Sequence, residues 1–208
     1  MHPCTETRSP KSPDDVTITT VEVAEMFDFA PVSNAWQIAR CKALGLARGT
    51  IQVKKGKPRK PSLFEPPRSD YTIVGDGNCF FRTISHILCG HQSAHVQIRR
   101  KVVEILALND EHFTKMNKLK ISYIRESEMA THGKWATENE IFAAATLLNT
   151  DIHVFGPTSR DKAENSVYKW LCYKSEADTL RSTNKLRKSR ESMYICNLSD
   201  HFTPVYDI

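Results

Sequence analysis

Some segments of the chain have apolar residues at helical spacing, and others are short runs of β-branched and aromatic residues. These two patterns predict its helices and strands. Residues 33–47 place apolar side chains at mostly helical spacing after a serine that can cap a helix. The β-branched run YTIV, 71–74, predicts a short strand. The segments CFFRTISHIL, 79–88, and SAHVQIRRKVVEILALND, 93–110, then have the spacing of two helices, followed by a looser helical stretch over 111–126.

The last third of the chain predicts one further helix and three strands. In TENEIFAAATLLNT, Thr137 and Glu140 have the spacing of a capping box that opens a helix. The segments DIHVFG, SVYKWLCYK and SMYICNL are rich in β-branched and aromatic residues and are separated by polar loops. These patterns favour one small sheet with several helices, a mixed α+β class.

The first third of the chain is different in composition. Residues 1–18 are rich in Ser, Thr, Pro and charged residues, which is typical of disorder. Residues 54–60, KKGKPRK, concentrate positive charge in a chain of net charge +5. We interpret them as a solvated linker, with a nuclear-import signal or a weak nucleic-acid contact as the alternatives. We therefore predict an N-terminal extension over 1–66 and a folded domain over 67–208.

Length and composition limit the classes of protein that are compatible with this sequence. With 208 residues, 40% of them hydrophobic, the chain can bury one core of ordinary domain size. It has no apolar run of membrane-spanning length and no signal-peptide pattern, so we expect a cytoplasmic or nuclear protein without membrane contact. None of the six cysteines forms a CxxC pair and the histidine pairs lack further ligands, so neither disulfides nor a metal is predicted.

Cys79 stands out as a candidate nucleophile. It follows a predicted strand and a turn that contains Gly75 and Gly77, at the first position of a predicted helix. The unpaired N–H groups and the positive end of a helix dipole both stabilise a thiolate, and the same N–H groups can hold an oxyanion. The alternative is a small buried side chain, the commonest role of a free cysteine.

His201 is the candidate base for that nucleophile. It follows a predicted strand and a Ser-Asp turn, in the kind of loop that often carries functional groups. A nucleophile and its base need to meet only in space, so their separation along the chain is no obstacle. On the sequence alone, an ordinary surface histidine is the alternative.

Three blocks of sequence resemble the ovarian tumour (OTU) family of papain-like cysteine isopeptidases. They are DGNCFFR at 76–82, WATENEIFAAATLLNTDIHVF at 135–155 and HFTPV at 201–205, and the resemblance covers residues 67–208. It implies a papain-like fold with a small central sheet packed between helices. It also implies hydrolysis of the bond after the C-terminal glycine of ubiquitin or a ubiquitin-like modifier, without a cofactor. The expected partner is ubiquitin or polyubiquitin, and the expected state is a monomer.

The resemblance also assigns roles to individual residues. It makes Cys79 the nucleophile, His201 the base, and Asp76 a member of the active site that shapes the oxyanion loop. The Gly77 and Asn78 backbone would help to bind the oxyanion.

One position departs from the family pattern. Many OTU enzymes have Asp or Asn two residues after the histidine to orient the imidazole, and this chain has Thr203. Asp76, Asp200 or Asp207 could supply the carboxylate instead, and a weak or inactive ubiquitin-binding module is the alternative to an active enzyme. Two more residues match the family, for which we favour structural roles: a core aromatic for Trp135 and a helix cap for Glu140.

Overall fold

The structure, a computed structural model, describes residues 26–50, 55–68, 71–116, 121–160, 166–178, 180–181, 186 and 189–208. These residues form six helices and four strands. The helices are α1 (Asn34–Leu44), α2 (Cys79–Cys89), α3 (His95–Leu108), α4 (Asp110–Met116), α5 (Tyr123–Ser127) and α6 (Glu138–Leu148). The strands are β1 (Ile152–Arg160), β2 (Ser166–Tyr173), β3 (Met193–Leu198) and β4 (His201–Pro204). The predicted mixed class is confirmed.

Local signals mark the ends of α1 and α6, whereas the helix predicted over 93–110 is divided between α3 and the start of α4. Ser33 caps α1 by accepting a hydrogen bond from the Trp36 backbone N–H, and Gly45 ends the helix with a left-handed conformation. The predicted capping box of Thr137 and Glu140 is present at the start of α6. The looser stretch over 111–126 contains α4 from its second residue and α5 up to its last residue but one, with 117–120 outside the described residues.

The four strands form one sheet in the order β2-β1-β3-β4. β1 and β3 are parallel, and the other two pairs are antiparallel. The three predicted strands are confirmed, and β4 was not predicted as a strand. A two-residue turn joins β3 to β4, with Ser199 and Asp200 at φ 51° and 62°. Two successive positive φ values match the twist of an antiparallel hairpin, so this turn directs β4 back along β3.

The prediction of a strand at residues 71–74 is wrong. This segment forms no strand and does not join the sheet. Instead, the Gln92 side chain accepts from the Val74 N–H at 3.1 Å and donates to the Thr72 carbonyl at 2.9 Å. A side-chain amide therefore supplies the hydrogen bonds that a neighbouring strand would have made.

The two faces of the sheet are covered by different parts of the chain. One face packs on the helices, with Ile152, Ile195 and Phe202 in that core. The other face carries Trp170 and Tyr194, which pack with Phe29 of the N-terminal third. None of the helices in the described residues has the length and apolar character needed to cross a membrane.

The N-terminal third contributes backbone pairing as well as apolar side chains. Phe29 and Arg59 exchange two backbone hydrogen bonds, of 2.8 and 3.1 Å, and the Trp170 N–H donates to the Leu63 carbonyl at 2.8 Å. Residues 57–60 of the basic segment are exposed, as expected of a solvated stretch, but the paired backbone fixes their course over the sheet. The predicted disorder at 1–18 and Lys54 lie outside the described residues.

Candidate active site

Cys79 is the first residue of α2, as the sequence predicts, and its side chain is only 8% exposed. At this position its backbone N–H has no acceptor within the helix. The preceding turn reaches Cys79 through Gly77, which has φ +77°. A β-carbon at Gly77 would lie 2.0 Å from the Gly133 carbonyl oxygen, so only glycine fits where the turn meets the loop before α6.

The buried Asn78 side chain joins this turn to two other segments. Its Oδ1 accepts from Arg99 at 2.9 Å and from the Gly133 N–H at 3.0 Å. Its Nδ2 donates to the Asp76 carbonyl at 3.2 Å and lies 3.1 Å from His132 Nε2. Asn78 therefore holds the turn through its side chain, a role that its position before the cysteine does not reveal.

Arg99 is the residue that the sequence reasoning missed. Its guanidinium is buried 4.1 Å from the centroid of the Phe81 ring. It donates to the carbonyls of Met129 at 3.0 Å and Lys134 at 2.7 Å, besides Asn78. Burial lowers the Arg99 pKa, while the negative charges of Glu140 and Asp76 oppose that effect. An arginine within an amphipathic helix gives no sequence signal of such a role.

The Asp76 carboxylate is bound within its own segment. It accepts from Arg82 Nε at 3.0 Å and from Arg82 NH2 at 2.6 Å, and it also accepts from the Asn78 N–H at 3.1 Å. The hydrogen bond and charge of Arg82 hold the Asp76 pKa far below its usual range. Because the Asn78 N–H is already occupied, the Cys79 N–H is the better placed oxyanion donor of the two.

The β3–β4 hairpin brings His201 next to this turn. Phe202 packs edge-on against Phe80 of α2, with ring centroids 5.3 Å apart, and its carbonyl accepts from the Thr83 hydroxyl at 2.9 Å. The Cys79 sulfur lies 4.0 Å from the carbonyl oxygen of Asp200, the residue before His201. The imidazole also faces Gly75, where an added β-carbon would lie 3.9 Å from His201 Cε1.

The hairpin and the turn thus bring His201 and Cys79 to the same part of the molecule, with no direct hydrogen bond between them in the described residues. Catalytic hydrogen bonds are often long before substrate binds and tighten in the complex, so the lack of one here is compatible with a nucleophile and its base.

Thr203 lies on the same side of β4 as His201, because alternate strand residues face the same way. Both residues line a cavity of about 430 Å³, which Pro67, Tyr71 and Phe155 also border. Thr203 is therefore placed beside the histidine, as its family position implies.

Neither of the other two candidate carboxylates is hydrogen-bonded to His201 in the described part of the chain. The Asp207 carboxylate accepts from the Ile208 N–H at 3.0 Å and lies 4.0 Å from Arg68. Asp200 contributes its carbonyl oxygen to the Cys79 contact, and its side chain is exposed. The identity of a third triad member thus stays a prediction.

The two other residues that match the family have different environments. Glu140 is fully buried, caps α6 and accepts from the Tyr123 hydroxyl at 2.9 Å, so its predicted structural role is confirmed. The prediction of a core position for Trp135 is wrong, because 63% of this side chain is exposed. The carbonyl of the adjacent Lys134 accepts from Arg99 at 2.7 Å, so the backbone is fixed here while the Trp135 side chain remains in solvent.

Comparisons with known proteins identify the family of this chain. The sequence model of the family "OTU-like cysteine protease" matches residues 74–202, more than half of the chain. OTU domain-containing protein 1 of Mus musculus is 28% identical over 139 residues, which cover 66% of this chain and 28% of that protein. The Homo sapiens protein of the same name is also 28% identical, with 26% of its length covered. This chain therefore spans well under half the length of these relatives.

Solved structures of similar proteins were found as well. The OTUD1 OTU domain has 25% identity and a TM-score of 0.47, with 66% of this chain and 84% of that domain covered. An OTU deubiquitinase from Wolbachia pipientis wMel, solved bound to ubiquitin, has 17% identity and a TM-score of 0.47, with 65% and 93% covered. On the match of the family model, this chain belongs to the OTU-like cysteine protease family.

Proposed function

We propose that this chain is a cysteine isopeptidase that hydrolyses the bond after the C-terminal glycine of ubiquitin or a ubiquitin-like modifier. The observation that carries the proposal is the position of the Cys79 thiol. It lies at the start of α2, 4.0 Å from the carbonyl of the residue that precedes His201.

In the proposed reaction Cys79 is the nucleophile and His201 the general base. His201 takes the thiol proton, and the Cys79 sulfur attacks the glycine carbonyl to form a tetrahedral intermediate. The Cys79 N–H then donates to the oxyanion. The imidazolium protonates the leaving lysine amine as the C–N bond breaks, and water activated by His201 hydrolyses the thioester.

Two features support this chemistry beyond the two reacting residues. Buried Arg99 and Asn78 hold the turn before Cys79 in place, so the oxyanion donor is preorganised. The cavity of about 430 Å³ beside His201 offers room for groups that flank the scissile bond.

Ubiquitin is the proposed partner because OTU domains of known structure include several bound to it, among them the Wolbachia and Hazara virus proteins. We also propose that residues 67–208 carry the catalytic groups and that residues 1–66 form an extension. The pairing of Phe29 with Arg59 supports a role for this extension in covering the sheet.

The test is cleavage of a fluorogenic amide at the ubiquitin C-terminus. We expect Cys79→Ala to abolish turnover and His201→Ala to lower kcat by about 10²–10⁴-fold, the usual contribution of a general base. Cys172→Ala is the matched control, since this thiol is exposed on β2 away from the site, and should retain full activity. Equal turnover by the wild type and Cys79→Ala would refute the proposal. Saturable ubiquitin binding without cleavage by a folded wild type would indicate a binding module instead.

A further inference from the structure

A second group of potential ligands lies beside the turn that precedes Cys79. The side chains of Asp76, His95 and His132 each place one ligand atom so that all three atoms lie within 4.8 Å of one another. The three residues come from the turn before α2, the first position of α3 and the loop before α6. No pattern in the sequence indicates this group, because its members are far apart along the chain.

His95 is already in the state that a metal requires. Its Nδ1 donates to the Gln92 carbonyl at 2.9 Å, so the lone pair is on Nε2. The residue is 8% exposed, and Nε2 is buried with no hydrogen-bond partner among the described residues. An unsatisfied buried acceptor is unfavourable, and a ligand that accepts its lone pair would remove that cost.

His132 also presents its Nε2 lone pair. The Asn78 amide is oriented by the two donors at its Oδ1, so its Nδ2 donates to His132 Nε2 at 3.1 Å. A metal would displace this single hydrogen bond, and Nδ2 would keep its bond to the Asp76 carbonyl. The rings of His95 and His132 are close, with centroids 5.7 Å apart, and His132 is exposed, so an ion can enter from solvent.

The Asp76 carboxylate retains capacity for one further ligand. Of about four acceptor positions on a carboxylate, three are used by Arg82 and the Asn78 N–H, which leaves one on Oδ2. The charge of Arg82 opposes a cation here. We therefore expect weaker binding than at a structural zinc site with four protein ligands.

We propose that Asp76, His95 and His132 form a binding site for one divalent transition-metal ion, with Zn²⁺ as the best match. Two imidazole nitrogens and one carboxylate oxygen, completed by water, are a usual donor set for zinc, whereas Ca²⁺ and Mg²⁺ prefer oxygen ligands. Ligands about 2.0–2.2 Å from zinc lie roughly 3.4 Å apart in a tetrahedral arrangement. Side-chain adjustments on the order of 1 Å then suffice to close the site. The ion would link three segments of the chain and stabilise the fold by binding it preferentially.

The proposal is tested on the full chain in a Cys79→Ala background, which removes the nucleophilic thiol as a competing ligand. Zn²⁺ is titrated in competition with a chromophoric chelator, and Co²⁺ absorption reports the ligand type. We expect one ion per chain, cobalt bands without thiolate charge transfer, and a higher melting temperature with Zn²⁺. The affinity should fall by more than about tenfold in both His95→Gln and His132→Gln, since even loss of a supporting partner costs about 10–100-fold.

His132→Gln is the decisive variant, because the side chain is exposed and its loss does not endanger folding. His112→Gln, on α4, is the matched control and should bind Zn²⁺ like the parent. Zinc affinity that His132→Gln leaves unchanged, or a cobalt spectrum dominated by thiolate charge transfer, would overturn the proposal. Because the parent lacks Cys79, either result is independent of the proposed hydrolysis.

Discussion

Replacement of Arg99 by methionine should both destabilise the fold and impair catalysis. The guanidinium makes three hydrogen bonds of 3.0 Å or less, to Asn78 and to the Met129 and Lys134 carbonyls. Methionine has a similar length but leaves these acceptors without their donor. Hydrogen bonds to a charged group contribute about 1.5–3 kcal/mol each, but their sum is reduced because they share one side chain that is costly to bury.

Each buried acceptor left without its donor costs about 1–3 kcal/mol, and the three costs are not fully additive, so we expect Arg99→Met to lower the free energy of unfolding by about 3–5 kcal/mol. In a chain of this size, each kcal/mol of lost stability lowers the melting temperature by about 2–4 °C. We therefore expect the melting temperature of Arg99→Met to be about 6–20 °C lower. Arg99→Lys should recover only part of the loss, because one ammonium cannot span the acceptors that the planar guanidinium reaches.

The assay combines urea unfolding with steady-state kinetics on the fluorogenic ubiquitin substrate. Arg100→Met is the matched control. Its side chain is 70% exposed and lies 3.9 Å from Glu104, so the change should stay within about 0.5 kcal/mol. A destabilisation by Arg99→Met below about 1 kcal/mol, or equal to that of the control, would refute the role assigned to this residue.

Three further predictions concern the turn and the histidine. Gly77→Ala should lower kcat by more than about tenfold, because a β-carbon there meets a carbonyl oxygen at 2.0 Å. Gly45→Ala is the control, because Gly45 has a similar φ but no atom lies within 4 Å of a β-carbon added there. It should lower the stability by only about 1 kcal/mol, and equal effects of the two substitutions would contradict the predicted clash at Gly77. Asp76→Asn should lower the unfolding free energy by about 1–3 kcal/mol near neutral pH. Because the Asp76 pKa is lowered in the folded state, its contribution is complete above the ordinary aspartate pKa of about 3.9 and is lost as the pH falls through the folded value. The difference between the variant and the wild type should therefore shrink in acid unfolding curves, and a constant difference would argue against the ion pair. Thr203→Asn should raise kcat by up to about tenfold, since an amide oxygen can orient the His201 imidazole, and a decrease would show that the threonine is already optimal.

The sequence predicts the parts of this fold that depend on local signals. The apolar spacing that predicts α2 and the capping box that predicts α6 each involve only residues of that helix and its cap. Both helices are therefore present as predicted. Residues 71–74 have the composition of a strand, but the Gln92 side chain, from another segment, makes the backbone hydrogen bonds that a neighbouring strand would make. No local pattern reveals this contact.

The same distinction applies to the candidate site. Cys79 and His201 could be proposed because a helix start and a turn are readable locally. The support from Arg99 depends on which carbonyls the fold brings to its guanidinium, and the exposure of Trp135 depends on how the loop before α6 is held. Such contacts between distant segments lie beyond a pattern in one sequence.

We expect Cys79 to act as a nucleophile that His201 activates toward the ubiquitin C-terminus. Reaction of the purified chain with ubiquitin that carries an electrophilic C-terminus, followed by intact mass and peptide mapping, measures this role. We expect a single adduct on Cys79, absent in Cys79→Ala and formed much more slowly in His201→Ala. A folded wild-type protein that forms no adduct, or forms it on another cysteine, would show that Cys79 is not this nucleophile.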